Sequence, residues 1–276
     1  MCLKDLLASK PVIMGILNIT PDSFSDGGEC SSVEGAVERA GEFLKRGATI
    51  LDIGGESTRP YAAIVSPEAE IIRVLPVIES IIRRYPKAII SIDTRNAVTM
   101  KAALDAGASI INDVSALQYD VHSVCVAANS NAPICLMHMK GNPQDMQNAP
   151  VYEDVIQEIM AFFIDRIEFC TSNGIDKKRL ILDPGLGFGK TLEHNLQILK
   201  NLKTFKKLGC PLLIGASRKS FIGKLYNDAP SDQRLGGSIA AALYAVQNGA
   251  DIVRVHDVEE TAQAFRISSS IQSSEE

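Results

Sequence analysis

Short, nearly all-apolar runs rich in β-branched residues alternate eight times with longer stretches in which apolar residues recur every three or four positions. The runs are Val12–Leu17, Ile50–Ile53, Ala88–Ile92, Ser109–Asn112, Ile134–Met137, Leu180–Leu182, Leu212–Ile214 and Ile252–Val255. A run with no polar face predicts a strand buried on both sides, as in a parallel sheet, and a period near 3.6 predicts a helix lying on that sheet. Over 33–46, Val33, Ala36, Val37, Ala40, Phe43 and Leu44 share one helical face, while Glu34, Glu38, Arg39, Glu42, Lys45 and Arg46 turn to the other. Gly47-Ala48, Gly107-Ala108 and Gly249-Ala250 each follow a helical stretch, where glycine can take the left-handed conformation that ends it. The chain is a series of βα units.

Such units can wind into an open sheet or close into a barrel. An open sheet gathers its site at one switch point. Here polar residues follow nearly every strand: Asn18, Glu56, Asp93, Asn112, His138, Asp183, Ser217, Arg254 and His256. Only a closed ring brings all of them together, so the prediction is an α/β fold, a (β/α)8 TIM barrel.

Bulk properties agree. The 276 residues suit one such barrel, and a single domain over 1–276 is expected, with the polar stretch 268–276 as a flexible tail. A net charge of −5, with both signs mixed along the chain, gives neither a nucleic-acid footprint nor a membrane patch and leaves a small molecule as the partner. Six scattered cysteines form no CxxC pair, so neither a zinc cluster nor a disulfide framework is expected. No apolar run reaches membrane-spanning length, which places the protein in the cytoplasm.

The candidate chemistry lies after the strands. Asn18–Gly28, rich in turn formers, is long enough for a lid, against a simple turn that caps the next helix. Asp52–Pro60 holds two glycines with Thr58 and Arg59, donors for a phosphate or carboxylate, against a glycine turn carrying a solvated arginine. Asp93, Asn112 and Asp183 each end an apolar strand, where unpaired acids and amides are costly. One by one they could cap helices; together they suit a planar heterocycle with guanidine-like N–H groups. Pro184–Thr191 nearly spells a phosphate-binding P-loop, but proline replaces its first glycine and no Walker B partner is evident, so a glycine turn that exposes Phe188 is preferred. Arg218 and Lys219 follow the seventh strand, the usual phosphate neighbourhood of barrels. Alternation puts Arg254 and His256 on one side of the eighth strand, able to act on one oxyanion, with Val255 in the wall.

Taken in order, the blocks GILNITPDSFSDGG, LDIGGESTRP, SIDTR, INDVSA, LDPGLGFGK, IGASRKSFIGK and RVHDV resemble the dihydropteroate synthase family of pterin-binding barrels, over about Pro11 to Ile267. The resemblance implies condensation of hydroxymethyl-dihydropterin pyrophosphate with para-aminobenzoate, release of pyrophosphate, inhibition by sulfonamides and a homodimer built on the outer faces of the last helices, for which apolar Ile239–Val246 is suitable. It implies that Asp93, Asn112, Asp183 and Lys219 bond the pterin while Arg254 stacks on it. It assigns Asn18, Arg254 and His256 to the pyrophosphate, with Asn18 also a ligand of Mg2+. Phe24, Thr58, Arg59, Pro60, Phe188, Lys219 and Ser220 form the implied aminobenzoate pocket, and Asp26 closes the first loop. Asp26, Arg59, Asp93, Lys219 and His256 are thus the implied catalytic set. Tyr61 stands where the family usually has glycine, which puts the geometry of the second loop in question. Two rivals keep the pterin contacts: a methyltransferase-type pterin barrel and a pterin-binding protein without turnover.

Overall fold

The computed structural model describes residues 3–9, 11–19, 32–56, 65–141 and 150–274. Eight parallel strands run β1 Val12–Asn18, β2 Ile50–Gly54, β3 Ile89–Asp93, β4 Ile110–Asp113, β5 Ile134–Met137, β6 Leu180–Asp183, β7 Leu213–Ile214 and β8 Ile252–Val255. They lie in the order β6-β5-β4-β3-β2-β1-β8-β7. A bridge from Leu182 to Leu212, with the Leu182 N–H donating to the Pro211 carbonyl at 2.9 Å, joins the two ends and closes the barrel.

Among the described residues the helices are α1 Leu3–Leu6, α2 Val33–Arg46, α3 Pro67–Arg84, α4 Ala97–Asp105, α5 Ser123–Asn129, α6 Val155–Ser172, α7 Leu192–Lys200, α8 Leu202–Lys206, α9 Ser220–Leu225, α10 Leu235–Gln247 and α11 Val258–Ser273. Helix α2 has the bounds its periodicity predicts and buries Ala36, Val37, Ala40 and Phe43. Ser32, Ser66 and Asp154 cap α2, α3 and α6 by accepting from backbone N–H groups of the first turn, worth about 1 kcal/mol each. Gly47, Gly107 and Gly249 hold φ of 112°, 114° and 104°, the turns expected of the Gly-Ala joints. Residues 268–273, expected as tail, continue α11, since no proline or glycine interrupts that sequence.

Strand alternation decides what faces inward. Leu51, Ile53, Ile90, Ile92, Ile111, Leu136, Leu182 and Val253 pack outward against the helices in two apolar clusters. Between them, Val12, Met14, Ile50, Ile110, Cys135, Ile181, Leu213 and Ile252 fill the barrel from its N-terminal end, where Leu3 and Leu6 of α1 join them. The same parity, carried to the C-terminal ends of the strands, turns Asn18, Asp52, Asp93, Asn112, Asp183 and Arg254 into the mouth.

Candidate active site

Adjacent tips lie in register: Asn18 pairs with Gly54, Gly54 with Asp93, and Asp93 with Asn112. From β8, on the other side of β1, Arg254 reaches into the opening; its Nε donates to Asp52 Oδ2 and its Nη2 to Asp93 Oδ2, both at 2.6 Å. Asn112 Nδ2 donates to the same Asp52 oxygen at 3.1 Å, so its carbonyl is the end left to accept. Asp183 Oδ1 accepts the Gly185 N–H at 2.8 Å. Each of the three tips therefore has a partner within the protein. None of them caps a helix: the caps of α4, α5 and α7 are Asn96, His122 and Thr191.

The charge balance is uneven. One guanidinium faces Asp52 and Asp93 directly, and cannot neutralise both. Burial, against the pull of Arg254, pushes the Asp93 carboxyl up to about 7, and burial also raises Asp183. Burial and Arg254 hold the Lys219 ammonium down to about 8. Its Nζ sits 4.1 Å above the centre of the Phe188 ring. Ser220, the first residue of α9, is exposed beside it.

His256 is a neutral imidazole, brought down to about 3 first by burial and then by Arg254 and Arg218. Its backbone N–H donates to Ser217 Oγ at 3.2 Å, and the hydroxyl lies 2.9 Å from Nδ1. With that hydroxyl proton given to Nδ1, Nε2 carries the ring proton and is a donor for an oxyanion. Arg218, the second cation after β7, is not a free phosphate ligand. It pairs with Asp257 at 2.5 and 3.1 Å, and its backbone sits at φ 57°.

Phe24, Asp26, Thr58, Arg59, Pro60 and Tyr61 lie outside the described residues. The segment that carries the last four is bounded by a buried clamp. Arg95 donates to both Glu56 oxygens at 2.9 and 3.1 Å, and Glu56 Oε1 accepts the Val65 N–H at 3.2 Å. Arg95 also stacks 4.0 Å over Tyr119.

Asp52 was not singled out from sequence, though a carboxylate at an inward position of an otherwise apolar strand is a readable signal. It is fully buried, and its Oδ1 has no hydrogen-bond partner among the described residues. The pairing of Ser217 with His256 across 39 residues had no sequence signal.

A closed parallel barrel with acids, an amide and cations converging on its C-terminal mouth defines an enzyme for a flat, N–H-rich substrate that carries an anionic group. The sequence matches the family of pterin binding enzymes over residues 14–256. Dihydropteroate synthase of Escherichia coli K12 is 50% identical over 259 residues, covering 94% of this chain and 91% of that protein. The Yersinia pestis dihydropteroate synthase, solved with a sulfonamide drug complex, superposes with a TM-score of 0.91 at 47% identity, covering 96% of each chain. The Xanthomonas albilineans dihydropteroate synthase with 4-aminobenzoic acid gives 0.90 at 44%, covering 97% of this chain and 95% of that one. The chain belongs to the pterin-binding enzyme family, and within it to the dihydropteroate synthases.

Proposed function

We propose that the strand tips seat a dihydropterin pyrophosphate in the barrel mouth and that condensation with para-aminobenzoate proceeds by departure of pyrophosphate before the amine attacks. The observation that carries this reading is the convergence of Asp93, Asn112, Asp183 and Arg254 from four strands of the barrel. Asp93, Asp183 and the outward carbonyl of Asn112 offer acceptors to the N–H groups of a pterin edge, and the Arg254 guanidinium, fixed by Asp52, lies flat-faced for stacking. Lys219, Arg254 and the His256 N–H offer donors to the departing pyrophosphate and to the ring.

The roles of Phe24, Asp26, Thr58, Arg59 and Pro60 rest on resemblance alone. The Xanthomonas enzyme, solved with 4-aminobenzoic acid and, at 42% identity, with 7,8-dihydropteroate, supports these two ligands for this site. Buried Asp93 and Asp183 are placed to stabilise positive charge that develops on the pterin methylene once pyrophosphate leaves. No protein nucleophile is needed. Cys135 has Asp183, Asp52 and Asp93 around it, and burial holds its thiol protonated.

The donor set fits Mg2+ arriving with its substrate. Among the described residues no group of three His, Cys, Asp or Glu side chains could hold a metal, whereas Asn18 presents one amide oxygen at the tip of β1. Mg2+ keeps waters and phosphate oxygens and takes few protein ligands, and when bound it would neutralise the leaving pyrophosphate.

No helix among the described residues is long and apolar enough to cross a membrane. A homodimer through the outer helices is supported by exposed Leu225, Tyr226 and Tyr244, which line a groove of about 830 Å3 between α7, α9 and α10. The decisive assay couples pyrophosphate release to a chromogenic readout, with and without aminobenzoate and Mg2+. Release that needs both, together with dihydropteroate in the product, is expected. Aminobenzoate-independent turnover, or none, would overturn the reading.

A further inference from the structure

The lysine of the P-loop-like segment is turned into protein. Lys190 is 3% exposed, and its ammonium lies 3.0 Å from His138 Nδ1, 3.0 Å from the Phe188 carbonyl and 3.2 Å from the His138 carbonyl. An ammonium has three N–H donors, and each finds an acceptor here. A protonated Lys190 can only donate, which keeps Nδ1 of His138 bare. Burial and Lys190 together hold that imidazole down to about 2. No carboxylate lies within ion-pair distance of Lys190 among the described residues. Burial brings its ammonium down to about 7, against the more distant pull of Asp183.

A cation buried without a paired anion is costly, and this one links two backbones. One is the turn after β5, through His138. The other is the β6–α7 turn, whose Gly185, Gly187 and Gly189 hold φ of 69°, 81° and 65°. The turns lie so close that a Cβ on Gly185 would fall 2.0 Å from the His138 carbonyl oxygen, and one on Gly189 would fall 2.1 Å from that of Lys140. Tyr152 adds a hydroxyl donated to the Gly189 carbonyl at 2.9 Å. Phe188 rides on this seam, half-buried, with Lys219 over its ring.

We propose that Lys190 is a positioning residue for the aminobenzoate side of the site. By tying the Phe188 carbonyl to the turn after β5, it fixes the ring on which Lys219 sits. The inference rests on the assignment of Phe188 and Lys219 to that pocket.

Steady-state kinetics of Lys190→Met, Phe188→Ala and the double variant test it. Lys190→Met should raise KM for aminobenzoate about tenfold, with KM for the pterin substrate and kcat nearly unchanged. In the Phe188→Ala background the same substitution should add less than about twofold, because both act through one ring. Effects that multiply, or that fall equally on both substrates, would overturn the inference alone. An unchanged aminobenzoate KM in Phe188→Ala would overturn the pocket assignment, and the inference with it. Should Lys190→Met not fold, Lys190→Gln keeps a donor and should shift KM in the same direction but less. Failure of both variants to fold would make Lys190 a folding residue and overturn the proposal.

Discussion

Asp52 and Arg254, 202 residues apart in sequence, meet at 2.6 Å beneath the mouth of the barrel. The same Asp52 oxygen takes the Asn112 amide N–H at 3.1 Å, so one buried carboxylate sets both the guanidinium plane and the amide orientation. Asp52→Asn weakens the first bond from ionic to neutral and puts an amide N–H at the buried Oδ1 position, where it meets no acceptor among the described residues. The expected result is a fall of about tenfold or more in affinity for the pterin substrate, with circular dichroism unchanged. Calorimetric titration checks it, and native affinity would show that the pair does not orient the site.

Asp93 supplies a pH prediction. Its folded-state value, about 7, lies above its ordinary 3.8, so the free site favours the protonated carboxyl. That contribution to stability is full below the unfolded value and is lost as pH rises through about 7. A pterin N–H donor favours the carboxylate instead, so binding near neutral pH should release a proton. Titrations in buffers of different ionisation enthalpy should report release in the native protein and little in Asp93→Asn. Proton uptake in the native protein would contradict it.

The strands were readable because burial on both faces leaves Ile134–Met137 with no polar residue and Ile252–Val255 with Arg254 alone, and the structure reproduces both. Asp93, Asn112 and Asp183 were readable as tips because they break such runs, though Asp93 and Asp183 complete their strands rather than follow them and Asn112 is followed in its strand by Asp113. Their partners were not readable. Arg254 finds Asp52 and Asp93 only through barrel closure, and Asp113 differs from Asn112 in role solely by strand parity: it bonds Ser115 and Leu117 to shape the turn after β4. The P-loop-like segment was readable as a glycine turn, and three left-handed glycines form it, but nothing in its spacing told that Lys190 turns into the protein.

Those glycines carry a stability prediction. At Gly185 a Cβ meets backbone, not a movable side chain, and φ is 69°. Gly185→Ala should cost about 2 kcal/mol or more, or prevent folding, where an ordinary surface substitution stays within about 0.5 kcal/mol. Chemical denaturation measures this, and an unchanged midpoint would mean that the two turns are not in close contact.

The account depends above all on acceptors at the strand tips holding the pterin edge. Isothermal titration of the pterin substrate onto the native protein and onto Asp183→Asn tests that most directly. One carboxylate oxygen of Asp183 is already taken by the Gly185 N–H, so replacing the other with an amide N–H sets donor against donor. Binding by the native protein and its loss by about a hundredfold in the folded variant is the predicted result. Equal affinity in the two would contradict the assignment of the barrel mouth as the pterin site.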